Sequence, residues 1–185
     1  MMLLSSDLNR ILTMEKIASR IFEHTRLRLN RKITPSQFLS DFLSNIHSVA
    51  QKTIGTDKCS LFLTDFSADK LVLQASIGLP AEYQHISPLS CRKSTEGRAV
   101  AGRKPVFSAD LYEETECAYK DIIQKIMPCG LLCIPLKAGQ NILGVVNFYT
   151  TASPATVCKG IQQLTGIVYK AATKMHDMAL LGIPR

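Results

Sequence analysis

Residues 94–110 read STEGRAVAGRKPVFSAD and carry two glycines, Gly97 and Gly102, followed at once by two cations, Arg103 and Lys104. The glycine spacing is that of a phosphate-binding loop, G-x-x-x-x-G-K-[ST], in which the lysine holds phosphate and the hydroxyl holds magnesium. The next residues exclude that chemistry. Arg103 stands at the lysine position, Lys104 at the hydroxyl position, and Pro105 follows where a helix would have to begin. The stretch instead predicts a short helix, capped by Ser94 or Thr95 and ended by Gly102 at a positive φ, before a new strand at Val106 and Phe107. Such a turn lines a pocket, with Gly97 as its close-packed residue.

Outward from this turn the apolar period is 2. Downstream, GLLCIPLK (130–137) and NILGVVNFYT (141–150) are joined by AGQ, which predicts a hairpin with a short glycine turn. Upstream, KCSLFLTD alternates Cys59, Leu61 and Leu63 against Ser60, Phe62 and Thr64. LVLQASIG repeats the pattern after the polar FSADK, so residues 58–77 form a second predicted hairpin. Between the hairpins lies an irregular insert of turns, short helices and short strands.

Helices flank both hairpins. TPSQF (34–38) sets Thr34 as a cap, Pro35 at the first helical position and Gln37 to complete a capping box. The helix then runs through Phe38, Phe42, Ile46, Val49 and Ala50 to stop near Gly55. Ser153 and Pro154 open a long closing helix, 154–181, ended by Gly182. In it Ile161, Leu164, Val168, Ala171, Met175 and Met178 form a heptad seam as well as a core face. Residues 7–25 space Leu8, Ile11, Leu12, Ile17, Ala18 and Ile21 as a further amphipathic helix, followed by the basic connector RLRLNRK. The expected organisation is a preceding helix and connector at 1–33 and an α+β domain at 34–182. That domain holds a central antiparallel sheet of about six strands, with helices on one face and a roofed pocket on the other.

Composition narrows the function classes. The chain has 185 residues, 46% hydrophobic and 20% charged, which suits one globular core. Asp7, Arg10, Glu15 and Lys16 interrupt the opening where a signal peptide needs an apolar run, and no stretch reaches the length of a membrane span. A cytoplasmic protein with no membrane span is expected. The net charge of +7 is concentrated near the N-terminus, where residues 1–35 hold seven Lys or Arg against three Asp or Glu. The basic helix end RLRLNRK interleaves no aromatic and no recognition helix is recognisable, so specific nucleic-acid binding is not expected. The six cysteines include no C-x-x-C pair and are expected to be thiols in a reducing compartment.

The succession STEGRAVAGRKPVFSAD, GLLCIPLK, NILGVVNFYT and a closing helix resembles that of GAF domains, as does the upstream KCSLFLTDFSADKLVLQASIGLP. The resemblance spans residues 36 to 175. It implies a PAS-related fold with a small-molecule pocket, and a homodimer through the terminal helices. It also implies a sensory role, exercised on a separate signalling partner or through an output domain in a longer protein. The ligand-binding candidates are Cys91, Ser94, Thr95, Arg98, Ser108, Asp110, Tyr112, Tyr119 and Cys133. Arg98 would hold an anionic group, while Tyr112 and Tyr119 offer ring faces and hydroxyls.

The cofactor is expected to be a small-molecule ligand of unspecified identity. Bilin attachment in this family uses a cysteine beside a histidine, and no such dipeptide is present. Haem needs an axial ligand, but His24, His47 and His176 fall in terminal helices and leave only His85 in a loop. Cys91, Cys117, Cys129 and Cys133 lack iron–sulfur spacings, and no metal site is expected. Some family members reduce free methionine sulfoxide with thiols, and Cys91 and Cys117 resemble two of their three positions. Ala99 stands in the region of the third, and the aromatic opening motif is missing. Thus the expectation is a noncatalytic sensor, with a Cys91–Cys117 redox enzyme and a structural dimerisation module with a filled pocket as alternatives.

Overall fold

The computed structural model of the chain describes residues 35–65, 67–113, 119–123, 125 and 130–181. The helix expected at 7–25, the basic connector, Cys117 and Cys129 lie outside the described residues. Helix α1 spans Pro35–Ile54, and strands β1 (Lys58–Asp65) and β2 (Lys70–Ile77) form the first hairpin. A 3-10 turn at Ala81–His85, strand β3 (Leu89–Ser90), helix α2 (Thr95–Gly102), strand β4 (Val106–Ser108) and helix α3 (Lys120–Ile123) belong to the insert. Strands β5 (Gly130–Ala138) and β6 (Asn141–Thr150) form the second hairpin, and helix α4 (Pro154–Leu181) follows.

The six strands order as β3-β2-β1-β6-β5-β4, and every neighbouring pair is antiparallel. The two long hairpins therefore meet at the centre through β1 and β6, while the short insert strands guard the edges. Short edge strands limit the unpaired backbone offered to another chain. Pro135 sits on β5 beyond Cys133, where β4 pairing ends, and beside a register shift with β6, a place where a strand tolerates the missing N–H of proline.

Alternation of side chains splits the sheet into two unequal faces. On one, Cys59, Leu61, Leu132, Ile134, Val146 and Phe148 pack against Leu43, Ile46 and Ala50 of α1 and Val157, Leu164, Val168 and Ala172 of α4. Each fully buried leucine-sized side chain there contributes about 1.5–3 kcal/mol. Three of the six seam residues of the closing helix, Leu164, Val168 and Met175, are buried in this core against the chain's own sheet. Ile161 and Ala171 are half-buried at its margin. The other face bears a smaller core that contains Phe62, Leu71, Tyr83, Leu89, Leu131, Val145 and Tyr149, roofed by α2 and the insert.

Helix α2 starts as expected. Ser94 is its N-cap, and its hydroxyl accepts from the Gly97 amide at 2.9 Å. Its stop differs from the expectation, since the left-handed residue is Arg103 (φ 55°), one position after Gly102. The Arg103 amide closes the last turn on the Val100 carbonyl at 3.2 Å, and that of Lys104 reaches Ala99 at 3.3 Å. Gly97 has no room for a side chain. A Cβ there would lie 2.5 Å from the backbone carbonyl of Cys91 and 2.6 Å from that of Ser90, so glycine is what lets α2 lie against the β3 turn.

Candidate functional site

The second face holds a buried polar cluster assembled from three strands, the 3-10 turn, α2 and the turn before α3. The register aligns Ser60 of β1, Asn147 of β6 and Cys133 of β5 in one row across the sheet, with Tyr149 two residues along β6. Tyr83 descends from the 3-10 turn, Glu96 from the first turn of α2, and Tyr119 from the turn before α3. All six polar or aromatic side chains other than the thiol are buried: Ser60, Tyr83, Glu96, Tyr119, Asn147 and Tyr149.

Their hydrogen bonds form one chain. Ser60 Oγ and the Tyr83 hydroxyl lie 3.2 Å apart, Tyr83 and Tyr149 hydroxyls 2.5 Å, and Tyr149 donates to Tyr119 at 3.3 Å. Tyr119 donates in turn to Glu96 Oε1, which also accepts from Asn147 Nδ2 at 3.1 Å. The rings stand edge to face, Tyr83 against Tyr119 at 5.3 Å between centroids and against Tyr149 at 6.1 Å. This geometry is favourable for aromatic pairs and holds the hydroxyls together.

The electrostatics follow from burial. Desolvation pushes the Glu96 carboxyl above its usual range, opposed by hydrogen bonds from Tyr119, its own backbone, Ser94 and Asn147. Burial, together with the Glu96 charge, also raises the Tyr83 and Tyr149 hydroxyls. No Lys, Arg or His among the described residues pairs with Glu96. Asn147 Oδ1 is buried without a hydrogen-bond partner, an unusual state for an amide oxygen.

A family model for the GAF domain matches residues 36–173. The chain belongs to the GAF family. Solved structures agree on the fold. The GAF domain/HD domain protein from Geobacter sulfurreducens superposes with a TM-score of 0.61 at 15% identity, covering 82% of this chain and 99% of that one. The GAF domain of a phosphoenolpyruvate-protein phosphotransferase from Coxiella burnetii gives 0.57 at 18% identity, covering 94% and 99%. The free methionine-R-sulfoxide reductase from Neisseria meningitidis, in complex with its substrate, gives 0.57 at 17% identity, covering 78% and 83%. No curated protein matches the chain in sequence. GAF domains are in general sensory and regulatory modules, and the GAF assignment carries that coarse role to this chain.

The GAF fold gathers some of the expected ligand residues and spreads the others. Cys91, Tyr119 and Cys133 lie in the second face's core. Ser94 and Thr95 are buried at the start of α2, where the Ser94 hydroxyl caps the helix and donates to the Ser90 carbonyl at 2.8 Å. Arg98 is exposed and turns its guanidinium onto the Thr95 hydroxyl of its own helix at 3.0 Å. Ser108, Asp110 and Tyr112 make a local turn, with the Ser108 hydroxyl on the Asp110 carbonyl at 3.3 Å and the Tyr112 amide on the Asp110 carboxylate at 2.7 Å. Burial and the nearby Asp69 raise the Cys91 thiol to about 11, which leaves little nucleophilic thiolate near neutral pH.

Among the described residues no three His, Cys, Asp or Glu gather to hold a metal, and no helix is long and apolar enough to cross a membrane. Glu96, Asn147, Tyr83, Tyr149 and Ser60 were not among the expected site residues. One signal for them is present in the sequence: Asn147 is the sole amide in the apolar run ILGVVNFY.

Proposed function

We propose that this chain is a noncatalytic GAF sensor that binds a small molecule on the second face of its sheet and passes occupancy to its terminal helices. The observation that carries the reading is the buried chain from Ser60 to Glu96, which ties the insert, α2 and the central strands into one polar unit. Core faces seldom hold so many hydroxyls around an acid unless specificity is served, because each group must remain satisfied.

A route to the helices lies in the strands themselves. On β5, Leu131 and Cys133 face the polar cluster while Leu132 and Ile134 pack under the helices, and on β6 Asn147 and Tyr149 alternate with Val146 and Phe148. A ligand that shifts Asn147 therefore moves strands that carry α4. The output would be a bias between two arrangements of the terminal helices, exerted within a homodimer or on a separate partner.

A thermal-shift screen of the purified chain with small cytoplasmic metabolites, followed by native mass spectrometry, tests the proposal. A ligand that binds the folded state raises Tm and adds its mass to the chain. A screen in which no compound does either would overturn the sensor.

A further inference from the structure

Resting on that sensory reading, we infer that the Glu96–Asn147 site takes the primary ammonium group of a small amine. Three observations converge. Glu96 is a fully enclosed acid with no cationic partner among the described residues, so a cation entering the site would meet a carboxyl that has none. Asn147 Oδ1 is a second acceptor, completely buried and lacking a donor, on the residue whose Nδ2 already touches Glu96 at 3.1 Å. The surrounding groups are tyrosine hydroxyls, whose oxygens are further acceptors for an N–H donor.

The chemistry selects among ligands. An anion would face the Glu96 carboxyl and the orphan amide oxygen with nothing to offer either. A neutral acceptor leaves Asn147 Oδ1 unsatisfied. A primary ammonium has three N–H donors, which suffice for Glu96, Asn147 Oδ1 and one tyrosine hydroxyl, and its charge draws Glu96 into the ionised form. A quaternary ammonium lacks those donors. Tyr119 is the partner that yields: it stands on a turn of the insert rather than on the sheet, and the incoming N–H replaces its donation to Glu96.

The test uses the full chain with ethylammonium chloride as probe, against tetramethylammonium chloride, sodium acetate and ethanol at matched ionic strength. Ethylammonium is expected to raise Tm with the logarithm of its concentration above Kd, by roughly 7 °C at a hundred times its Kd. It is also expected to move the Asn147 side-chain amide resonance, while the comparators do neither. Glu96→Gln keeps the shape and the acceptor for Tyr119, and it should weaken ethylammonium binding at least tenfold. An unchanged affinity in E96Q, or neither a rise in Tm nor a saturable shift of the Asn147 amide resonance with ethylammonium in the native chain, overturns the ammonium assignment. The two failures are separable: if a neutral or anionic metabolite raises Tm and shifts Asn147 where ethylammonium does not, the sensor stands and the ammonium site falls. If no compound of any charge acts, both fall.

Discussion

Tyr119 donates its phenolic hydrogen bond to the carboxylate of Glu96, joining the end of the insert to the first turn of α2 inside the fold. Both residues are buried, so neither can exchange the contact for water. Tyr119→Phe removes the donor, keeps the ring against Tyr83, and leaves Glu96 with fewer partners. A loss of about 1–3 kcal/mol in unfolding free energy is expected, the cost of a buried acceptor deprived of its donor. Urea denaturation at pH 7 measures it, and an unchanged midpoint would show that the contact contributes nothing.

Glu96 also sets a pH dependence. Its carboxyl is raised in the folded chain by burial above the ordinary value of 4.5. The folded state therefore binds the proton more tightly than the unfolded state. Stability from this group is fully present below 4.5 and is lost as pH rises toward the folded value, because there the unfolded chain ionises first. In Glu96→Gln that loss disappears. The stability difference, E96Q minus native, should grow as pH rises from 4 to 8 in parallel denaturation curves. A difference that is flat across this range contradicts the raised carboxyl.

The turn that decides the fold contains two glycines with different duties. Gly97→Ala would place a methyl 2.5 Å from the Cys91 backbone, which has no flexible side chain to give way. A net loss of about 1–3 kcal/mol is expected, despite alanine's better helix propensity. Gly102→Ala meets only the Lys104 side chain, at 3.7 Å, and Gly102 is not in the left-handed region. It should be neutral or stabilising by up to about 1 kcal/mol. Thermal denaturation of the two variants side by side checks the contrast, and equal effects would erase it.

Those glycines also mark what the sequence discloses and what it hides. Period-2 alternation at 58–77 and 130–150, the proline start at Pro35 and the Ser153–Pro154 start of α4 are local signals, and the strands and helices fall where they indicate. Gly97 was legible because a glycine inside a short helix implies close packing. The positive φ was misplaced by one residue, because Arg103 supplies it and a cation in that conformation has no separate sequence mark. The site was half legible. Tyr119 and Cys133 could be named from their place in the insert and the second hairpin, but Glu96, Tyr83 and Asn147 meet only through tertiary packing. Their sequence separations hide the convergence, and Glu96 resembles any helix-start acid until its burial is seen.

The closing helix supplies the last test, between core and seam. A heptad seam available to a second chain would leave Leu164 partly exposed in one chain, yet Leu164 is fully buried with Val168 under α1 and the sheet. Its role in stability is then independent of association. Leu164→Ala should cost about 2–5 kcal/mol through lost burial and the cavity left behind. Because the contact is within one chain, that cost should be the same at 2 μM and at roughly 50-fold higher protein concentration. Denaturation at the two concentrations decides it. A cost that changes with concentration would place Leu164 in a contact between chains; a constant cost leaves it in the core of one chain, beside the half-buried Ile161 and Ala171.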